Sequence, residues 1–138
     1  MHTVRLDHLV LTVTDLKATI SFYSKVLGME TKQFGEGRVA LHFGNQKINL
    51  HLRGHESEPK AAQPQPGSAD LCFLTEMSLA GIIKHLQHHH VSIIAGPVPR
   101  TGACGAMTSV YVRDPDNNLV EIATRESNGP QCNRVTKP

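Results

Sequence analysis

The sequence contains no tryptophan, and aromatic residues make up only 4% of its 138 residues, so a hydrophobic core must rest on aliphatic side chains. It also lacks a long apolar run. None approaches the roughly 20 residues that span a bilayer, which argues against a transmembrane helix. The formal net charge is only +2, and the Lys and Arg residues are scattered, so neither nucleic acid nor an acidic membrane is expected as a partner.

The amino terminus lacks the apolar segment of a signal peptide, so we expect an intracellular, cytoplasmic protein. Cysteine is scarce as well. Cys72, Cys104 and Cys132 show no Cys-x-x-Cys spacing, and an odd number does not form a closed disulfide framework. We therefore predict reduced thiols, with Cys72 buried in an apolar strand, where cysteine behaves as a small hydrophobe.

What the sequence does contain is one order of elements that occurs twice. A strand is followed by a helix, which Asp15 can cap and Gly28 can end, and then by three strands. His8 falls opposite Asp70 in this repeat, and Ile20 falls opposite Ile82. The pattern predicts an α+β domain of two βαβββ modules. Its strands are expected near residues 5–13, 30–34, 38–43, 47–52, 69–75, 91–94, 106–113 and 119–124, and its helices near 16–27 and 78–89.

Composition sets the module boundaries. A proline-rich segment poor in helix and strand formers, residues 56–67, is predicted to link module one, about 4–55, to module two, about 68–126. We expect a single domain over residues 4–126, with residues 127–138 as a flexible polar tail. The stretch from Arg100 to Met107 lacks the Lys and following helix of a phosphate loop, so we predict a mobile flap over the cleft.

Strand periodicity decides which side chains can meet, because residues two apart share a face. On four predicted strands, the face opposite the helix-packing side carries polar groups. Half-sheets curled around a common cleft would point these groups inward. They are His8, Asn49, His51, Asp70, Cys72 and Glu121.

A set of two histidines and one glutamate suits a divalent Zn, Fe, Mn, Co or Ni ion. We expect His8, His51 and Glu121 to bind one such ion and to leave coordination positions open for water or substrate. Glu121 is also the candidate for proton transfer. Asp70 is a possible ligand, or an acceptor that orients a ligand imidazole.

Two other polar clusters are predicted to have no metal or catalytic role. His88, His89 and His90, with His85 nearby, are conspicuous, but consecutive helix residues point about 100° apart and do not converge on one ion. We predict a solvated helix end, where cationic imidazoles suit the dipole. The Asp114-Pro115-Asp116 segment is predicted to form a turn.

Three segments together resemble the vicinal-oxygen-chelate, or glyoxalase/bleomycin-resistance/dioxygenase, superfamily. They are Asp7-His8-Leu9-Val10-Leu11-Thr12-Val13, Phe22-Tyr23-Ser24-Lys25-Val26-Leu27-Gly28-Met29 and Val112-Arg113-Asp114-Pro115-Asp116-Asn117-Asn118-Leu119-Val120-Glu121-Ile122. The resemblance covers about residues 4–126. Further segments, such as Lys47-Ile48-Asn49-Leu50-His51, are similar to its lactoylglutathione-lyase-like members.

The resemblance implies a curved mixed eight-stranded sheet around a cleft, one divalent metal ion in that cleft, and a homodimer. By position, His8 matches the first-strand ligand and Glu121 the eighth-strand ligand. On the fourth strand, alignment of the two modules selects Asn49, whereas ligand chemistry favours His51, which we prefer. Asp70 stands where relatives often have His, and this departure bears on metal identity.

The leading hypothesis is a metal-dependent lyase or isomerase of glyoxalase type. Its substrate would be small and oxygen-rich, for example a thiol conjugate of a 2-oxoaldehyde. Arg100 and Cys72 are expected to line the substrate cleft. The alternatives are a noncatalytic protein that sequesters a small ligand, as antibiotic-binding relatives do, and an Fe(II) ring-cleaving dioxygenase.

Overall fold

The computed structural model describes residues 1–125, and the predicted polar tail and Cys132 lie outside them. Over the described residues the chain forms eight strands and two helices in the order predicted from the sequence. None of these helices is long and apolar enough to cross a membrane. The elements are β1 (His8–Val13), α1 (Leu16–Lys25), β2 (Glu30–Phe34), β3 (Arg38–Phe43), β4 (Gln46–Leu52), β5 (Asp70–Leu74), α2 (Leu79–His88), β6 (Ala95–Gly102), β7 (Gly105–Arg113) and β8 (Leu119–Arg125).

The strands form two four-stranded sheets, which confirms the α+β class and the repeated βαβββ order. In the first sheet the strand order is β1-β4-β3-β2. β1 runs parallel to β4, and the other neighbours are antiparallel. In the second sheet the order is β5-β8-β7-β6, and β6 and β7 pair antiparallel.

The chain also divides into two compact units. The amino-terminal unit contains Arg5–Asp70 and Arg113–Leu119. The carboxy-terminal unit contains Met1–Val4, Leu71–Val112 and, of the described residues after the turn, 120–125. The turn between β7 and β8 therefore belongs to the amino-terminal unit, although it lies in the second half of the sequence.

Helix α1 begins and ends as local chemistry predicts. The Asp15 side chain accepts a hydrogen bond from the Ala18 N–H at 3.1 Å, which satisfies a donor at the first turn. Beyond the last turn, Gly28 adopts φ +69°, and the Met29 N–H donates to the Tyr23 carbonyl at 3.0 Å. A left-handed residue followed by this bond is the usual end of a helix, and glycine adopts it without steric cost.

The buried core of each unit uses the apolar faces that periodicity predicts. In the amino-terminal unit, the register pairs Leu11 with Leu50 and Leu41 with Ile48. In the carboxy-terminal unit, Ser78 caps α2 through the Gly81 N–H. The buried side chains of that unit include Ile82, Leu86, Val110, Val112, Val120 and Ile122.

The position of β6 differs from the prediction. The strand expected at residues 91–94 lies at Ala95–Gly102, and it forms a hairpin with β7. The predicted flap from Arg100 to Met107 is therefore the turn end of two paired strands. Pro97 and Pro99 hid this strand from sequence patterns, because proline within a segment argues against a strand. The fold accommodates both prolines because β6 lies at the edge of its sheet, where a missing N–H need not face a neighbour.

The turn between β7 and β8 is organised by the carboxylate of Asp114, which is 5% exposed. One oxygen accepts hydrogen bonds from the backbone N–H groups of Asp116 and Asn118, both at 2.9 Å. The other accepts from the Tyr23 hydroxyl at 2.7 Å and from the Asn118 side chain at 2.8 Å. This geometry confirms that Asp114-Pro115-Asp116 forms a turn.

The Asp114 network joins three parts of the amino-terminal unit. Tyr23 brings in α1, and burial followed by the Asp114 charge raises the pKa of its hydroxyl above the ordinary value, so the phenol remains a donor. The side-chain oxygen of Asn118, Oδ1, accepts from the Ala69 N–H at 2.9 Å. The Asp116 carboxylate accepts from the Thr14 N–H at 3.3 Å. The network thus connects the turn to α1, to the end of β1 and to the segment before β5.

Replacing Tyr23 with Phe removes one donor from a buried carboxylate. We expect the free energy of unfolding to fall by about 1–3 kcal/mol, because the carboxylate loses a hydrogen bond that water does not replace. Urea denaturation followed by circular dichroism measures the change. Tyr111→Phe is the matched control: its hydroxyl accepts from the exposed Arg100 side chain at 2.8 Å, so its loss should change stability by about 0.5 kcal/mol or less. Equal effects of the two variants would contradict the role of Asp114.

Candidate functional site

A cavity of about 640 Å³ lies in the amino-terminal unit, within the size range of small-molecule sites. Val10 and Thr12 of β1 and His51 of β4 line one wall. Asn118, from the Asp114 network, also lines it. The segment after β4 supplies the rest, including Pro59, Ala61, Gln63, Pro64 and Gln65. The proline-rich segment that we predicted as a linker is therefore also a wall of the candidate site.

Close packing against the Asp114 turn places the end of this segment. Gly67 adopts φ +80°, and a Cβ atom there would lie 2.7 Å from the Asp116 carbonyl oxygen. No side chain fits at that distance, so the backbone approach requires glycine. The Ser68 hydroxyl donates to the Gln65 carbonyl at 2.8 Å. Nothing in the composition of the segment signals this docking, because it depends on the distant turn.

Two polar side chains of β4, one of which (His51) lines the cavity, have polar atoms that the fold does not satisfy. Asn49 and His51 lie two residues apart on β4 and share a face, with exposures of 4% and 8%. Within residues 1–125, Asn49 Oδ1 and His51 Nε2 are buried and have no hydrogen-bond partner. Leaving such an atom unpaired costs about 1–3 kcal/mol. Both atoms are therefore candidates to bind a group from outside the chain, whether water, a metal ion or a substrate.

His8 lies on the same face of the sheet, at the start of β1. Its Nδ1 donates to the Asp7 carboxylate at 2.8 Å, and its side chain is 44% exposed. The hydrogen bond with His8 holds the pKa of the Asp7 carboxyl below its ordinary value, so the carboxylate stays charged. With the proton on Nδ1, the lone pair of Nε2 is the one available to a ligand.

The parallel register of β1 and β4 separates the candidate ligands. His8 pairs with Lys47, Val10 with Asn49, and Thr12 with His51. At about 3.3 Å per residue, His8 and His51 are roughly 13 Å apart along the strands, whereas His8 and Asn49 are roughly 7 Å apart. The register therefore places Asn49 nearer to His8, and this choice was open at the level of sequence.

The donor types fit a divalent metal ion, but the part of the chain that the structure describes does not bring a complete ligand set together. Imidazole nitrogen with amide and carboxylate oxygen is a combination that borderline cations accept. Within residues 1–125, no group of three or more His, Cys, Asp or Glu side chains gathers closely enough to hold an ion. The set His8, His51 and Glu121 therefore stays a prediction.

Glu121 lies on β8 in the carboxy-terminal unit, with Ser109 of β7 beside it. The Ser109 hydroxyl donates to Glu121 Oε2 at 2.6 Å, and Ser109 is fully buried. A short bond from a buried hydroxyl restricts the orientation of the carboxylate. Sequence reasoning missed Ser109, because its contact with Glu121 depends on how two separate strands are aligned.

Two of the predictions about cysteine are wrong. Cys104 is disulfide-bonded, and such pairing depends on distances in the fold, which a cysteine count does not give. Cys72 is exposed and not buried. It lies on β5, an edge strand whose burial alternates, with Leu71 and Phe73 half-buried on the other face.

The remaining site candidates, Asp70 and Arg100, are also exposed. Arg100 is held against β7, since its Nε donates to the Tyr111 hydroxyl and its guanidinium lies 5.5 Å from the ring centroid. The predicted places of Arg100 and Cys72 at a substrate cleft stay predictions, as does the metal or orienting role of Asp70.

Comparison with known families gives a match over most of the chain. Residues 5–122 match the model of the Glyoxalase/Bleomycin resistance protein/Dioxygenase superfamily. A relative from Mycosarcoma maydis, glyoxalase domain-containing protein RDO1, is 59% identical over 119 residues, which cover 86% of this chain and 67% of the relative. Virulence protein STM3117 of Salmonella typhimurium is 53% identical over 119 residues, which cover 86% of this chain and 83% of that protein.

Solved structures agree with the fold. The crystal structure of STM3117 superimposes with a TM-score of 0.89 at 51% identity, covering 91% of this chain and 100% of that chain. A lactoylglutathione lyase from Agrobacterium tumefaciens superimposes with a TM-score of 0.66 at 21% identity, covering 89% of this chain and 95% of that chain. The second likeness concerns the fold alone.

Replacing Asn49 with Leu, which has a similar shape, removes the unpaired amide oxygen. We expect the free energy of unfolding of the metal-free protein to rise by about 1 kcal/mol, because a buried polar atom without a partner is destabilising. Asn118→Leu is the control, since that equally buried amide bonds both Asp114 and Ala69, and its loss should destabilise by about 2–4 kcal/mol. Urea denaturation compares them. A fall of similar size in both variants would mean that Asn49 is structural.

Proposed function

Because the chain belongs to the glyoxalase/bleomycin resistance protein/dioxygenase superfamily, we propose that it is a metal-dependent lyase or isomerase of glyoxalase type. The substrate is a small molecule with adjacent oxygens, such as the conjugate of a thiol with a 2-oxoaldehyde. The observation that carries the proposal is the pair of buried atoms on β4 without partners among the described residues, Asn49 Oδ1 and His51 Nε2; His51 lines the cavity, and Asn49 lies two residues away on the same strand face.

The proposed metal ligands are His8, Glu121 and one residue of β4. The register of β1 and β4 supports Asn49 as the ligand that joins His8. His51 lines the cavity wall, which supports a substrate-facing role for His51. Both roles fit the alternation of a single strand face. A bound Zn, Ni, Co, Mn or Fe ion would polarise a substrate oxygen and stabilise negative charge that develops on it.

The chain's own groups would orient the ligands and move the proton. Asp7 keeps the His8 ring in the tautomer whose Nε2 carries the lone pair. Ser109 orients the Glu121 carboxylate. In an isomerisation of this class, Glu121 would take a proton from the carbon next to a carbonyl and return it to the adjacent carbon. The apolar side chains Val10 and Ala61 in the cavity wall would contact apolar parts of the substrate.

A second candidate function is sequestration of a small ligand without catalysis. The nearer β4 residue, Asn49, is a neutral amide where a carboxylate would bind a cation more strongly. The cavity, in contrast, needs no metal to hold a ligand, and its lining combines apolar side chains with the amides of Gln63, Gln65 and Asn118. No observation on the described residues specifically favours ring cleavage by an Fe(II) dioxygenase.

Metal reconstitution tests the proposal. The purified chain is stripped with a chelator and titrated with Ni²⁺, Zn²⁺ or Fe²⁺, bound metal is measured by elemental analysis, and turnover of a hemithioacetal is followed by absorbance. We expect metal-dependent turnover. His8→Ala and Glu121→Ala should weaken metal binding by about 10-fold or more, because each removes a ligand. His55→Ala, an exposed histidine beyond β4, is the matched control and should change nothing.

The two β4 residues separate the roles of metal and substrate. Asn49→Ala should weaken metal binding, whereas His51→Ala should retain the metal and raise KM. Metal affinity unchanged in both His8→Ala and Glu121→Ala would overturn the enzyme proposal. Ligand binding in the cavity without any metal or turnover would favour sequestration instead.

A further inference from the structure

The carboxy-terminal end of α2 brings histidine rings together. The ring centroids of His85 and His89 are 4.5 Å apart, with an interplanar angle of 57°. The rings of His88 and His89 are 5.2 Å apart and perpendicular. The divergence expected of consecutive helix residues does not apply to His85 and His89, which are four residues apart.

Helical spacing accounts for the convergence. Residues four apart lie on one face, one turn above the other. His89 is the capping residue of α2, yet its N–H still donates to the His85 carbonyl at 3.1 Å, so the helical spacing extends to it. Both side chains are only partly buried and can be reached from solvent. His90 follows with φ +56°, outside the helical conformation.

The spacing is one that binds metal. Two histidines at positions i and i+4 of a helix, in the His-Glu-x-x-His pattern, hold zinc in metalloproteases through neutral imidazole nitrogens, and the glutamate is the general base. Here Leu86 occupies the position of that glutamate, and its side chain is buried. The pair therefore has the ligands of such a site without its base, which fits metal binding and not hydrolysis.

We propose that His85 and His89 form a surface chelate for a borderline divalent cation, with water completing the coordination shell. Among first-row divalent ions, affinity for nitrogen ligands is greatest for Cu²⁺, so the site should prefer Cu²⁺ to Ni²⁺ and Zn²⁺. A cation also suits this end of the helix, where the last carbonyl groups carry partial negative charge. The chelate belongs to the carboxy-terminal unit and uses none of the proposed cleft ligands.

The chelate affects how metal on this protein is measured. An elemental analysis of the purified chain would count an ion at α2 together with any ion held by His8 and Glu121. Substitution of His85 and His89 removes the first contribution and leaves the second, so the two sites can be assessed independently.

Titration of the full chain, without a histidine tag, tests the chelate. Isothermal titration with CuCl₂ or ZnCl₂ alone should show binding of the ion to the wild-type chain. The affinity of this binding should fall at least tenfold in His85→Gln and in His89→Gln. His90→Gln, at the same end of the helix, and His51→Gln, in the cavity wall, should leave this affinity within twofold. Circular dichroism of each variant checks that it is folded.

Thermal unfolding provides a second readout. Cu²⁺ that binds the folded helix should raise the Tm of the wild-type chain, because binding to the native state stabilises it. The His85→Gln/His89→Gln double variant should lose this rise, and the His90→Gln variant should keep it. Unchanged affinity in His85→Gln and His89→Gln, or an equal loss in His90→Gln, would overturn the proposal. Neither outcome would bear on the cleft, whose tests use His8 and Glu121.

Discussion

The buried carboxylate of Asp114 is the group on which the amino-terminal unit depends. A charge removed from water must be hydrogen-bonded, and Asp114 accepts from two backbone N–H groups, an amide and a phenol. Those four donors hold the turn, α1 and Asn118 in one arrangement. Asn118 then holds Ala69, and both residues line the cavity. The hydrogen bonds that satisfy the Asp114 carboxylate therefore shape the candidate site more than the residues that would bind a ligand do.

Asp114 follows the rule that a buried polar group is hydrogen-bonded, whereas the candidate site contains buried polar atoms without partners among the described residues. Asn118 and Asn49 are both buried amides, but the oxygen of Asn118 is bonded and that of Asn49 has no partner within residues 1–125. Stability alone would favour an apolar residue at Asn49. Unsatisfied polar atoms on one strand face, with one of them in a cavity wall, are expected where a fold keeps polar groups for a ligand. The two proposed metal sites also differ in burial. His85 and His89 of α2 are partly exposed, so they do not carry the cost of a buried polar atom.

Much of the fold could be predicted from short segments of sequence. Asp15 and Gly28 mark the ends of α1 because capping is a local hydrogen-bonding problem, and the alternation of Leu11, Leu50 and Ile122 identifies the faces that pack under helices. The candidate site was predicted less completely. Alternation places Asn49 and His51 on one face, but it does not indicate which of them is level with His8. Ser109 beside Glu121 and the linker in the cavity wall carried no local signal, because both depend on partners far away in the chain.

The sequence by itself determined the order of the elements, their caps, and which side of each strand is polar, since each of these depends on neighbours within about four residues. Only the tertiary structure decided the register of β1 on β4, the edge position that lets Pro97 and Pro99 lie in β6, and the disulfide at Cys104. It alone decided that Arg113–Leu119 belongs with the first half of the chain. These features depend on contacts between residues distant in sequence, and no periodicity within one segment specifies which distant segment it will meet.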